Sequence, residues 1–283
     1  MIIVAHESPF LASPNSKHPV ALTIAGSDPS GGAGVQADLK TFAALGVYGY
    51  SVITDVIAQN SFSVARTNPL APALVTAQIE SLTAECIPLA IKTGALGNAA
   101  IVKAVARAMV KLAMPAPVVD PVIIASSGTR LLEAPGERAI RDLLIPLASI
   151  VTPNIAEAEA ITAIRIDTDA AIREAVRRIV AMGARAVVIK GGHRKTGAHR
   201  DRLKAIDLFY DGRRFVELTN NRVPGGGAHG TGCAFSAAIA AYLARGKNLE
   251  EAVRGAKRFV TRALKHRFSL GKGRAVLDHL AGD

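Results

Sequence analysis

Short β-branched runs alternate with stretches of helical spacing along almost the whole chain. No other feature constrains the fold as strongly. VALTIA (Val20–Ala25) reads as a buried strand, GSDPSGGAG breaks it, and apolar residues then recur at helical spacing over 35–45. A second β-rich run covers 49–57, and Pro72 can occupy the first turn of a helix reaching 85. A strand over 89–93 is closed by Gly94, and Asn98 can cap a helix to about 112. Further strands are expected at 117–122, 149–152 and 186–190, with helices at 137–144, through 161 and over 168–182. Two strands, 205–210 and 213–218, flank Asp211-Gly212 as a hairpin would, and helices follow at 230–244 and 249–266. Such alternation predicts a three-layer α/β/α fold: a mostly parallel central sheet with helices on both faces.

The 283 residues would fill one large α/β domain or two small ones. No composition break marks a linker and no repeat is visible, so one domain over 20–283 is expected, preceded by a flexible extension over 1–19. Aromatic residues are only 4% of the chain and tryptophan is absent, so the core must be aliphatic. The two cysteines, Cys86 and Cys233, lie far apart and in no CxxC pair, which argues against a disulfide scaffold or a zinc site. The N-terminal stretch lacks the pattern of a secretory signal, and the longest uncharged run, 230–244, is too short and too rich in small residues to span a membrane. A cytoplasmic protein is the expectation.

The formal charge is +11, and ten basic residues between Arg245 and Arg274 face only Glu250 and Glu251. A nucleic-acid surface is one reading. A solvated helix face that helps attract anionic substrates fits better, because the stretch has no interleaved aromatic platform and no recognised nucleic-acid motif.

Odd polar residues gather at strand ends, where open α/β sheets bind their ligands. Asp28 and Ser30 follow the first strand, Gln59 and Asn60 the second, Lys92 and Gly94 the third. Asp120 closes the fourth, Asn154 the fifth, and Lys190 with Gly191 the sixth. Singly, Asp28 and Asn154 read best as helix caps or turns. As a set they do not, because caps have no need of two lysines. GSDPSGGAG has neither a Walker A lysine nor the GxGxxG spacing, and its glycines would simply let backbone pass close to a small ligand. Asp38, early in the following helix, is either a surface residue or a ligand-facing one.

Gly230-Thr231-Gly232-Cys233 before an apolar helix is a sharper signal. A first helical turn offers unpaired N–H groups at the positive end of the dipole, and small residues let an anion reach them. Phosphoryl transfer needs such stabilisation. The same setting is expected to lower a cysteine's pKa, which would make Cys233 a base or a nucleophile; simple packing of a buried cysteine is the competing reading.

From about residue 20 to 280 the chain resembles the hydroxymethylpyrimidine and phosphomethylpyrimidine kinases of thiamine biosynthesis, a branch of the ribokinase-like superfamily. The matching stretches are ALTIAGSDPSGGAGVQADLKTF, VIAQNS, IKTG, VVDPV with SSG, VTPNIAEAEAI, VVIKGGH and HGTGCAFSAAIAA, in family order. The resemblance implies ATP as donor, Mg2+, and two successive phosphorylations, first of the pyrimidine alcohol and then of its monophosphate. It implies a homodimer, with no nucleic-acid or membrane partner. It places Gly26, Asp38, Ile57, Gln59, Ala95 and Val122 around the aminopyrimidine, and Asn154, Glu157 and Lys190 on the nucleotide side. Asp120 and Glu157 would lie near magnesium, Gly230, Thr231 and Gly232 would form the anion hole, and Cys233 would be the general base. Ala95 stands where the family often has methionine, Ser126 where lysine is frequent, and Gly227-Ala228 where a polar pair is common; Asp55 lies in a segment that is usually more apolar. Pyridoxal kinase of the same superfamily is the nearest alternative, and a non-catalytic ligand- or nucleic-acid-binding relative is the alternative of a different class.

Overall fold

The structure is a computed structural model that describes residues 18–125, 127–191 and 203–281. Most of the expected N-terminal extension, Ser126, and Gly192 with His193 of the VVIKGGH stretch lie outside the described residues.

The chain opens with β1 (Val20–Ala25), α1 (Gly34–Ala44) and β2 (Tyr48–Ile53), then β3 (Asp55–Gln59), β4 (Val64–Pro69) and α2 (Pro72–Glu85). Next come β5 (Ala90–Thr93), α3 (Ala99–Lys111), β6 (Val118–Val119) and α4 (Ala134–Ala139), which runs into a π-helical turn at Ile140–Leu144. The elements β7 (Ile150–Val151), α5 (Ile155–Thr162), α6 (Asp169–Ala181) and β8 (Val187–Ile189) follow. The hairpin β9 (Lys204–Tyr210) and β10 (Phe215–Asn221) leads to α7 (Thr231–Ala244), α8 (Leu249–Lys265), β11 (Phe268–Ser269) and β12 (Ala275–Val276).

Eight strands form one sheet in the order β10-β9-β8-β7-β6-β5-β1-β2. All neighbours from β2 to β8 are parallel, and the β9–β10 hairpin is antiparallel, so the expected mostly parallel sheet is present. Side chains of successive strand residues alternate between the two faces. Leu22, Ile91, Val119, Val151 and Val187 pack with α2, α3, α5 and α6; Ala21, Ala90, Val118, Ile150 and Val188 pack with α1, α7 and α8. Local signals set the helix starts. The Asn98 side chain accepts from the Ile101 N–H at α3, and that of Thr168 from the Ala171 N–H at α6. Helix α7 carries no charge and is buried nearly all round, which is why it lies flat under the sheet. Among the described residues no helix is long and apolar enough to cross a membrane.

One expectation needs correction. Residues 49–57 are not a single strand. The chain leaves the sheet after Ile53, and β3 pairs with β4 as a separate antiparallel ribbon. Buried Asp55 accounts for the turn: its carboxylate accepts from the Asn68 N–H (2.7 Å) and its carbonyl from the Ser27 N–H (2.8 Å). A charged residue in a β-rich run is here a cross-strand anchor. Gln59 therefore sits on the ribbon and not at the end of a sheet strand.

Candidate active site

The parallel strands deliver their carboxyl ends to one edge, and three groups of side chains form there. The first surrounds Gly26. Its N–H donates to the Ala95 carbonyl (3.0 Å), which also accepts from Thr54 Oγ1 (2.7 Å). Ile57 is buried against Gly26, with its Cδ1 3.0 Å from where a Cβ at Gly26 would lie. The Ile57 N–H donates to Ser27 Oγ (3.2 Å), and Gln59 Nε2 donates to the Ser27 carbonyl (3.3 Å). The ribbon thus folds Ile57 and Gln59 over the loop that follows β1. Val122, half-buried, lies beyond β6, where its N–H donates to the Asp120 carbonyl (2.9 Å).

Asp38 belongs to a second group. Thr23 on β1 and Lys92 on β5 are register partners, and both face α1. Asp38 Oδ2 accepts from Thr23 Oγ1 (2.6 Å) and from Lys92 Nζ (2.7 Å), with both side chains of the ion pair fully buried. The other Asp38 oxygen is buried with no hydrogen-bond partner among the described residues. Burial opposes the charge of Lys92, but Asp38, Cys233 and Asp120 together outweigh it and raise the pKa, so the ammonium is retained. Glycine at 94 leaves the lysine its room: a Cβ there would fall 2.7 Å from Lys92 Nζ and 3.0 Å from Ala25 Cβ. Lys92 was visible in the sequence as a lysine inside an apolar strand. Its pairing with Asp38 was not, because that depends on the packing of α1 across the sheet.

The third group centres on Asp120. One carboxylate oxygen accepts from Lys190 Nζ (3.0 Å) and Thr152 Oγ1 (3.2 Å), the other from Ser236 Oγ (3.0 Å). Lys190 also lies 3.9 Å from Glu157 Oε2. Burial, reinforced by Asp120, pushes the Glu157 carboxyl up to about 7, against the pull of Lys190. Asn154 and Glu157 form a reciprocal capping box at the start of α5, so the Asn154 side-chain oxygen is committed to the helix cap. Ser236 lies three residues after Cys233 on α7, a spacing that puts both on one helix face; that was the signal for a residue otherwise lost in an alanine-rich run.

Gly230 to Cys233 border this group. Gly230 caps α7 in the left-handed region (φ +80°), and a Cβ there would fall onto the Gly32 carbonyl oxygen, so only glycine fits. Lys190 Nζ lies 3.3 Å, and Asp120 Oδ2 3.9 Å, from the position of a Cβ at Gly232. Thr231 Oγ1 donates to the Ala228 carbonyl (2.8 Å). Gly34 opens α1 near the Cys233 thiol, and its backbone pulls the thiol pKa down. The expected lowering of the Cys233 pKa is nevertheless overturned. Burial pushes the thiol up to about 11, aided by the Asp38 and Asp120 carboxylates, and outweighs Lys92 and the Gly34 N–H. Cys233 does sit in the first turn of α7 as expected, but desolvation raises its pKa where that setting was expected to lower it.

The chain matches the family model described as phosphomethylpyrimidine kinase over residues 28–278. It is 42% identical to the hydroxymethylpyrimidine/phosphomethylpyrimidine kinase of Haemophilus influenzae, over 92% of this chain and 96% of that one. It is 38% identical to the thiamine biosynthesis bifunctional protein ThiED of Geobacter sulfurreducens over 98% of its own length, and spans 58% of that longer protein. Among solved structures, pyridoxal kinase from Staphylococcus aureus in complex with AMP-PCP and pyridoxal superposes with a TM-score of 0.84 at 35% identity, over 94% of this chain and 95% of that one. Phosphomethylpyrimidine kinase from Clostridium difficile gives a TM-score of 0.76 at 38% identity, over 87% and 100%.

Proposed function

The chain belongs to the phosphomethylpyrimidine kinase family, and from that membership we propose that it transfers the γ-phosphoryl group of ATP to hydroxymethylpyrimidine and then to its monophosphate. The observation that carries the reading is the junction of the Gly230–Cys233 turn with Lys190 and Asp120 at one sheet edge, beside the pocket of Gly26, Ile57, Gln59 and Ala95.

In this reading the aminopyrimidine sits against Gly26, Ile57, Ala95 and Val122, with Gln59 on its ring nitrogens. Asp38, sealed with Lys92 beneath α1, acts on this pocket as a fixed charge rather than by contact with the ring. Lys190 and the N–H groups of Gly230, Thr231 and Gly232 take up negative charge on the transferred phosphoryl group. Asp120 and Glu157 face one cation, Lys190, with hard oxygen donors only, which suits a magnesium ion that keeps waters and takes phosphate oxygens. Magnesium would neutralise charge on the β- and γ-phosphates. Cys233 rests as a protonated thiol. It can serve as base only once its own proton has passed to solvent, leaving a thiolate beside the Lys92 ammonium; a loose transition state asks little of the nucleophile, so the hydroxyl proton can then move late onto that sulfur. The protein acts in the cytoplasm, as a homodimer.

A coupled ADP-release assay with hydroxymethylpyrimidine, its monophosphate and pyridoxal tests the reading. Turnover is expected with both pyrimidines. Pyridoxal turnover far above that of hydroxymethylpyrimidine would replace the reading with the one suggested by the pyridoxal-bound neighbour. Cys233→Ala should lose about 10²–10⁴-fold in kcat while keeping ATP affinity. Wild-type turnover in that variant would return Cys233 to the role of a packing residue.

A further inference from the structure

Two glycine-rich loops, 26–34 and 227–233, meet at a carboxylate that this chemistry leaves unused. Asp28 is fully buried at the end of β1. One of its oxygens accepts from the Ser30 N–H (2.9 Å) and Ser30 Oγ (2.8 Å). The other accepts from the Ala33 N–H (2.7 Å) and lies 2.8 Å from His229 Nε2. His229 is buried as well, and its N–H donates to the Ala275 carbonyl of β12 (2.8 Å).

We propose that Asp28 and His229 form a clasp that holds the loop leading into α1 against the Gly230–Cys233 turn, and that both are positioning residues for phosphoryl transfer. The inference rests on the proposed kinase reading for its catalytic consequence, and on geometry alone for the clasp.

The placement of the neighbours argues for it. Ala33, held by Asp28, directly precedes Gly34, whose backbone pulls the Cys233 thiol pKa down, and the Ala33 Cα lies 3.2 Å from where a Cβ at Gly230 would be. His229 directly precedes Gly230, which opens the anion hole. The clasp is therefore one residue from each element of the reaction centre. Between Gly230 and the Gly32 carbonyl the loops touch backbone to backbone, with no room for a side chain. Glycine-rich loops lose much entropy on ordering, so that contact needs a directional partner to hold it. The Asp28 carboxylate supplies one: burial alone would raise its pKa, but hydrogen bonds from His229 and Ser30 outweigh burial and hold it below the usual range. His229 Nδ1 is buried with no hydrogen-bond partner among the described residues. The ring thus ends the network and offers no onward path for a proton, which separates a clasp from an acid–base dyad.

The test uses the full chain with His229→Ala, His229→Gln and Asp28→Asn, followed by amide hydrogen exchange and steady-state kinetics. His229→Ala should speed exchange in both 30–35 and 227–233, and Asp28→Asn should do the same from the other side. His229→Ala should lower kcat by up to about 10²-fold, the cost of a small misplacement, with KM for ATP unchanged. The glutamine amide can reach the same carboxylate, so His229→Gln should recover most of kcat. Exchange that rises only in the mutated loop overturns the clasp. So does unchanged kcat in His229→Ala, or a glutamine variant that melts like wild type and turns over no faster than the alanine one. If the wild type fails to phosphorylate either pyrimidine, the kinase reading falls, and the exchange experiment still decides the clasp.

Discussion

Two lysines at this sheet edge each face an aspartate, yet one pair is sealed and the other is open. Lys92 and Asp38 are both 0% exposed, and α1 closes over them. Lys190 keeps 18% of its side chain in contact with solvent, and its ammonium is shared between Asp120 and Glu157. A sealed pair has its charges committed and serves as a fixed field. An open, shared lysine can be claimed by an incoming anion, because Asp120 retains Thr152 and Ser236 when it departs. Similar residue types thus make a sealed scaffold at one end of the edge and a partly exposed, shared cation at the other.

The sharpest way to break this comparison is Lys92→Met. It abandons a carboxylate that water cannot reach and should cost about 3–5 kcal/mol in urea unfolding. Adding Asp38→Leu should recover most of that loss. If the single variant is no less stable than wild type, the pair is not sealed. Lys190→Met comes next. On the proposed reading it removes a phosphoryl-facing charge and should cost about 10²–10³-fold in kcat, with a smaller loss of stability than Lys92→Met because Asp120 keeps the hydroxyls of Thr152 and Ser236. Equal losses of stability in the two variants would erase the distinction between open and sealed.

The smallest effect concerns pH. Glu157 titrates in the folded chain at about 7, above its unfolded value. Its contribution to stability is therefore present below about pH 4.5 and fades as pH rises through 7. The stability of wild type relative to Glu157→Gln should fall over that window and level off above it. A difference that stays flat from pH 4.5 to 8 would place Glu157 outside the shared charge of the open pair.

Much of the fold was legible because its signals are local. Asn98, Thr168 and Asn248 cap the helices they precede, and the Asp211-Gly212 turn joins an antiparallel pair. The β3–β4 ribbon was missed because Asp55 makes it, through a backbone partner thirteen residues away. At the site, the Gly230–Cys233 turn and the strand-end position of Lys190 could be read one residue at a time. The thiol of Cys233 and the pairing of Asp38 could not. Burial and neighbouring charge set both, and those depend on which helix covers which strand. Asp28 read by itself as a turn residue, and so it is, through Ser30 and Ala33; His229, 201 residues away, is what makes it more.

That separation has a consequence for how the protein comes into being. At a synthesis rate of ~5–20 residues per second, Asp28 waits roughly 10–40 s for His229 to be made, and longer for the strand at Ala275 that steadies it. Until then the nascent chain can pair β1, β2 and β5 but lacks the Gly230–Cys233 turn proposed to take the phosphates of ATP. Nucleotide can act as a folding ligand only for chains that have passed Val276. Fragments broken off earlier would show native-like helix and sheet, yet gain nothing from ATP against a protease.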